Sequence, residues 1–117
     1  MPVHLNLTVT DIERSITFYQ QWLGFGPEDR RFDDGTTFVR DSEGTDLALH
    51  AGEVSTTLHG QVFHFGFRRD TATEVRDLWE ELIAGGVEVI AFDEEPDVVS
   101  VKLMDPDGYV IEVYWEP

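Results

Sequence analysis

Two histidines and a glutamate, His4, His64 and Glu112, are the residues of this chain whose types combine into a definite chemistry. Two imidazoles and one carboxylate form a facial ligand set that holds Fe(II), Mn(II), Zn(II), Ni(II) or Co(II) and leaves positions open for substrate or water. Three protein ligands with an open position describe a catalytic centre better than a structural one. Glu112 poses the question most sharply. In Tyr109-Val-Ile-Glu-Val-Tyr-Trp115 one strand face takes Tyr109, Ile111, Val113 and Trp115, and the other takes Val110, Glu112 and Tyr114. A carboxylate in so apolar a strand needs a partner, since burying it alone costs several kcal/mol. A metal cation is the expected partner.

Three residues so far apart in sequence must be gathered by their strands. Residues 4 to 10 alternate, with Leu5, Leu7 and Val9 on one face and His4, Asn6, Thr8 and Thr10 on the other. Asp11 is an N-cap, Ile12, Ile16, Tyr19 and Leu23 recur at helical spacing, and Gly24 stops the helix. Strands are predicted over 28 to 33, 36 to 40 and 45 to 51, joined by Asp33-Asp34-Gly35 and Asp41-Ser-Glu-Gly44. A polar stretch without periodicity, Gly52 to Gln61, reads as a linker in which His59 is simply exposed. The order then returns: a strand at 63 to 68, a helix capped by Asp70 or Thr71 and carrying Val75, Leu78, Leu82 and Ile83, then strands at 87 to 93, 98 to 104 and 109 to 115. Asp105-Pro-Asp-Gly108 is the last turn, with Pro presetting φ and Gly accepting a positive one.

The two halves are copies. At an offset of 60, His4 falls on His64, Phe18 on Leu78, Leu23 on Ile83 and Gly26 on Gly86; at 64, Ala48 falls on Glu112 and Phe38 on Lys102. The expected fold is therefore α+β, one domain over 1–117 built as two tandem βαβββ modules (1–52 and 62–117, with linker 53–61). Their sheets would pair into a curved, open half-barrel with helices outside. The polar strand faces would line a shared hollow holding His4, His64 and Glu112.

Alternation sends Asp46, Ala48 and His50 to that hollow, together with Thr36, Phe38, Arg40, Ser100, Lys102 and Tyr114. His50 is the candidate for proton transfer, its unperturbed pKa lying near neutrality. Lys102 is the candidate partner of an anionic oxygen. Asn6 and Arg68 are candidates for hydrogen bonds to substrate, and Phe38 and Tyr114 for aromatic pocket walls. Phe18, Tyr19, Trp22 and Trp79 fall on helices, where their spacing assigns them to packing.

Composition narrows the field. With 24 acidic residues against seven arginines and one lysine, the net charge of −16 disfavours nucleic acid and anionic membrane as partners. Such an acidic, lysine-poor surface serves solubility and also suits a high-salt setting. An apolar content of 41% supports a real core. Without cysteine there is no disulfide, thiolate ligand or cysteine nucleophile, which is compatible with a reducing cytoplasm, the expected location. Met1-Pro-Val-His4 has no basic region of a signal peptide, and no apolar run approaches the roughly 18 residues of a membrane span.

His4-Leu-Asn-Leu-Thr-Val-Thr-Asp11 leading into Ser15-Ile-Thr-Phe-Tyr19 and Leu23-Gly-Phe25, then His64-Phe-Gly-Phe67 and Asp105-Pro-Asp-Gly-Tyr-Val-Ile-Glu112, resembles the vicinal oxygen chelate superfamily over nearly the whole chain. That superfamily includes glyoxalase I, extradiol dioxygenases, fosfomycin-resistance transferases, methylmalonyl-CoA epimerase and bleomycin-binding resistance proteins. The resemblance implies paired βαβββ modules, one divalent metal ion on His4, His64 and Glu112, and a homodimer with swapped modules in which His4 of one chain joins His64 and Glu112 of the other. Departures are visible. Ala48 stands where glyoxalase I and the epimerase have Glu or Gln. Asn6 and Lys102 stand where the fosfomycin enzymes have Thr and Tyr, and the extradiol enzymes likewise have Tyr at 102. The expected function is a metal-dependent enzyme, of the lyase, isomerase or ring-cleaving type, acting on a small substrate with adjacent oxygens. The alternative is a binding protein that sequesters a drug or metabolite without turning it over.

Overall fold

The structure is a computed structural model that describes residues 3–117, leaving aside the side chains at 28 and 29. The chain divides into two compact units, one reaching to Ser55 and one starting at Thr56. Among the described residues no helix is long and apolar enough to cross a membrane.

The first unit runs β1 (His4–Val9), α1 (Ile12–Leu23), β2 (Phe25–Arg31), β3 (Thr37–Asp41) and β4 (Asp46–Ala51). Asp11 caps α1 by accepting the main-chain N–H of Arg14 at 3.1 Å, and Gly24 ends it with φ +77°. The helix buries Ile16, Tyr19 and Leu23, and Tyr19 packs edge-on against Phe25. The sheet order is β1-β4-β3-β2, with β1 parallel to β4 and the other pairs antiparallel. Strand β2 starts earlier than its alternation predicts, because the chain crosses Gly26 and Pro27 through an irregularity between the pairs Phe25/Asp41 and Asp29/Val39.

In the second unit, β7 (His64–Arg68), α2 (Ala72–Ala84), β8 (Val89–Glu95), β9 (Val98–Met104) and β10 (Val110–Trp115) repeat that plan, with sheet order β7-β10-β9-β8. The register repeats as well. His4 lies opposite Asp46 and Asn6 opposite Ala48, while His64 lies opposite Val110 and Gly66 opposite Glu112. Phe38 pairs with Ala48 as Lys102 pairs with Glu112. The duplication seen in the sequence is thus a duplication of hydrogen-bond register, which fixes which side chains share a face.

Two expectations are corrected. The aperiodic stretch from Gly52 to Gln61 contains most of a small hairpin, β5 (Thr57–Leu58) with β6 (Gln61–Val62). It turns at His59 and Gly60, which have φ of 51° and 78°, as a two-residue hairpin loop of the primed kind demands. Helix α2 buries Val75, Leu78 and Leu82 but leaves Ile83 56% exposed, although the offset equates Ile83 with the buried Leu23. At about 100° of rotation per residue, Leu82 already occupies the position over the sheet, so Ile83 turns outward. Thr71 and Glu74 start α2 with a reciprocal capping box, and Trp79 stacks on Phe92 at 4.1 Å.

Candidate functional site

In the second unit the face opposite α2 carries His64, Gly66 and Arg68 on β7, Val110, Glu112 and Tyr114 on β10, and Met104, Lys102 and Ser100 on β9. His64 and Glu112 are brought together: Nε2 of the imidazole lies 3.7 Å from Oε1 of the carboxylate. The other oxygen, Oε2, accepts a hydrogen bond from the Ser100 hydroxyl at 2.6 Å. Gly66 makes room for this arrangement. A Cβ at that position would stand 2.5 Å from the Glu112 carbonyl oxygen and 3.4 Å from its Cβ.

Glu112 therefore has protein partners, which alternation alone did not reveal. Its side chain is also 28% exposed, so the cost of an unpaired buried carboxylate does not arise in full. The donor set still fits a divalent cation. A separation of 3.7 Å is less than two metal–ligand bonds of about 2.1 Å end to end. A carboxylate with one oxygen held by a hydroxyl and the other turned to an imidazole is oriented as metal-binding carboxylates are. In neither unit, among the described residues, do three or more His, Asp or Glu side chains gather as a metal site.

Lys102 faces Glu112 across β9 and β10, yet Glu112 takes Ser100 and His64 instead. Half-buried, its ammonium has no hydrogen-bond or ion-pair partner among the described residues. Arg68 donates to the main-chain oxygen of Glu116 at 2.6 Å and so ties the end of β7 to the residue after β10. Tyr114 stands opposite Arg68 and Ser100, half-buried on the same face.

In the first unit the corresponding face carries His4, Asn6 and Thr8, then Asp46, Ala48 and His50, then Phe38 and Arg40. Phe38 is its aromatic centre, with the rings of Phe32 at 5.4 Å and His4 at 5.8 Å, and the Arg30 guanidinium 5.1 Å above it. Arg40 grips Asp46 through two bonds of 2.8 and 3.3 Å, with Arg30 at 3.8 Å. The hydrogen bond from Arg40 holds the Asp46 carboxyl below the usual carboxylate range, and the charges of Arg40, Arg30 and His4 add to it. Asn6 is exposed opposite the fully buried Ala48. His50, half-buried at the end of β4, has Nδ1 3.0 Å from the Thr36 hydroxyl. Sequence reasoning placed Ser100 and Thr36 on these faces but gave neither a partner. The Ser100 contact runs between two strands and the Thr36 contact from the residue before β3 to β4, so no spacing within one strand could expose them.

Comparison with known proteins identifies the fold. The chain is 28% identical over 127 residues to a virulence protein of Salmonella typhimurium, covering 94% of this chain and 80% of that one. It is also 28% identical over 119 residues to a manganese-dependent 2,3-dihydroxybiphenyl 1,2-dioxygenase of Geobacillus genomosp. 3; that match covers 97% of this chain but only 36% of the dioxygenase. Among solved structures, a genomically encoded fosfomycin resistance protein from Listeria monocytogenes superposes with a TM-score of 0.80 at 20% identity, over 97% of this chain and 91% of that one, a likeness of fold alone. The family model of the Glyoxalase/Bleomycin resistance protein/Dioxygenase superfamily matches residues 2–113. Two βαβββ units with the same register, matched over residues 2–113 by that model, make this chain a member of the glyoxalase/bleomycin resistance protein/dioxygenase superfamily.

Proposed function

We propose that the protein is a divalent-metal-dependent enzyme acting on a small substrate that presents adjacent oxygens. The observation that carries this is the His64–Glu112 pair at 3.7 Å, with Ser100 orienting the carboxylate. His4 supplies the third ligand; it enters the first sheet at the register position that His64 has in the second. In a homodimer with swapped modules, His4 of one copy meets His64 and Glu112 of the other. A bound cation supplies Lewis acidity toward a substrate oxygen or, as Fe(II) or Mn(II), reactivity toward dioxygen. The manganese dependence named for the dioxygenase relative supports a divalent metal here.

The chain's own residues do the rest. Lys102, a half-buried residue whose ammonium donors are unspent, neutralises an anionic oxygen of the substrate. Phe38 and Tyr114 wall the pocket, with Asn6 and Arg68 at hydrogen-bonding positions. His50 accepts and returns a proton. The test is metal analysis of protein purified without chelators, followed by calorimetric titration with Mn(II). One equivalent per chain is expected in the wild type, and its loss in His64→Ala; full occupancy in that variant defeats the assignment. A metal-free protein that binds an aromatic ligand with both histidines dispensable would instead be a sequestering protein.

A further inference from the structure

We propose that the polar face of the first sheet binds a planar aromatic carboxylate, with its ring on Phe32 and Phe38 and its carboxylate on the guanidinium of Arg30. The inference deepens the proposed function and rests on reading Phe38 as a wall of the substrate pocket. Arg30 on β2 lies opposite Phe38 on β3, and Phe32, two residues beyond Arg30, returns to the same face. Phe32 is 53% exposed, and among the described residues it is the one exposed Phe, Tyr or Trp. A single exposed apolar residue is ordinary on a protein surface; here the exposed ring continues a cluster. Its ring stands edge-on to Phe38 at 5.4 Å and 72°, and the His4 ring meets Phe38 at 5.8 Å. The exposure does not come from a loose loop. The Phe32 N–H donates to the Thr36 carbonyl at 3.0 Å, and its own carbonyl accepts from the Gly35 N–H at 2.9 Å, so the ring is held in place before any ligand arrives.

Charge selects the other half of the ligand. Arg40 donates to both oxygens of Asp46, at 2.8 and 3.3 Å, and so matches that carboxylate one for one. Arg30 stands 3.8 Å from Asp46, beyond hydrogen-bond length, and its guanidinium carbon lies 5.1 Å from the centre of the Phe38 ring. Arg30, Arg40 and Asp46 together carry one positive charge, on a chain whose net charge is −16. A guanidinium is a planar fork that pairs with a carboxylate through two parallel N–H groups while stacking on an aromatic face. A flat ring beside it gains offset or edge-on contact with Phe32 and Phe38, which a saturated ring does not. A cationic ligand would be repelled by Arg30, and a polyphosphate would bring several charges to one fork with Asp46 alongside. One carboxylate on one aromatic ring is the match.

The experiment is a 1H–15N shift titration of the full-length, 15N-labelled protein with sodium benzoate, in the presence of EDTA so that no metal holds the carboxylate. Benzamide and cyclohexanecarboxylate, titrated in parallel, remove the charge and the aromatic ring in turn. Benzoate is expected to bind more tightly than either and to move the signals of Arg30, Phe32 and Phe38. Arg30→Gln should make benzoate and benzamide equal, and Phe32→Ala should weaken both about 2–10-fold. Both side chains are more than half exposed, so the two variants should keep the fold. Benzamide or cyclohexanecarboxylate binding the wild type as tightly as benzoate, a result that needs no variant, overturns the proposal. Shifts confined to other residues, or affinities unchanged in both variants, overturn it as well. The two readings fail separately: a chain that takes up Mn(II) but not benzoate keeps the metal site and loses this substrate class, and one that binds benzoate at Phe32 but never Mn(II) loses the metal site and keeps the aromatic platform.

Discussion

Replacing Gly66 by alanine probes the approach of β7 to β10 with a single methyl group. The new Cβ would lie 2.5 Å from the Glu112 carbonyl oxygen, which is 0.9 Å short of the 3.4 Å where ordinary contact begins. The obstructing atom is main chain in the middle of a sheet, so no side chain can swing aside. Parting the strands by that much takes hydrogen bonds of about 2.9 Å beyond useful length. Overpacking of this kind costs about 1–3 kcal/mol, and the entropy gained by removing a glycine from the unfolded chain offsets only about 0.4–1 kcal/mol. A net loss of about 1–2 kcal/mol is expected, a fall in Tm of roughly 3–12 °C for a domain of this size. Because the displaced residue is Glu112 itself, Mn(II) affinity should fall in the folded variant too. Thermal and urea unfolding measure the first effect, and calorimetric titration the second. Gly26→Ala, whose Cβ would meet the Arg40 carbonyl at 3.3 Å, is the matched control and should cost less than about 1 kcal/mol. A Gly66→Ala protein that melts with the wild type and binds Mn(II) equally well would refute the close approach.

Ser100→Ala removes the hydroxyl that orients Glu112, and metal affinity should drop about 10–100-fold with little change in stability; unchanged affinity would remove Ser100 from the site. Mixing equal amounts of His4→Ala and His64→Ala chains should restore one metal site per mixed dimer if modules are swapped, about a quarter of all sites after random re-pairing; no recovery argues for sites built within single chains. Asp46→Asn tests the Arg40 pair. Its folded pKa is lowered from 3.8, so its stabilisation is present above that value and fades as pH falls through the folded pKa. The variant should therefore lose about 0.5–1 kcal/mol at neutral pH, as a part-exposed ion pair does, and converge with the wild type in acid. A gap that widens below pH 3.8 would contradict that sign.

Strand faces were legible before any coordinates, because side chains alternate with a period of two and the chain states its pattern twice. His4 and His64 open the two sheets in equivalent register, and Ala48 and Glu112 answer each other as the offset of 64 requires. Asp11 and Gly24 marked both ends of α1, and Asp70 or Thr71 the start of α2, to within a residue or so, since caps are local chemistry. What one strand cannot encode is its neighbour's rotamer. That Glu112 chooses Ser100 and His64 over the lysine directly opposite depends on reach and direction across three strands. The linking of Asp34, Thr36 and His50 depends on a turn meeting the end of another strand. Ile83 turned outward because packing selects one helical face from several apolar candidates. The sequence alone decided which residues could share a sheet face, through periodicity and repetition; tertiary structure decided which of them touch, through the packing of side chains from different strands.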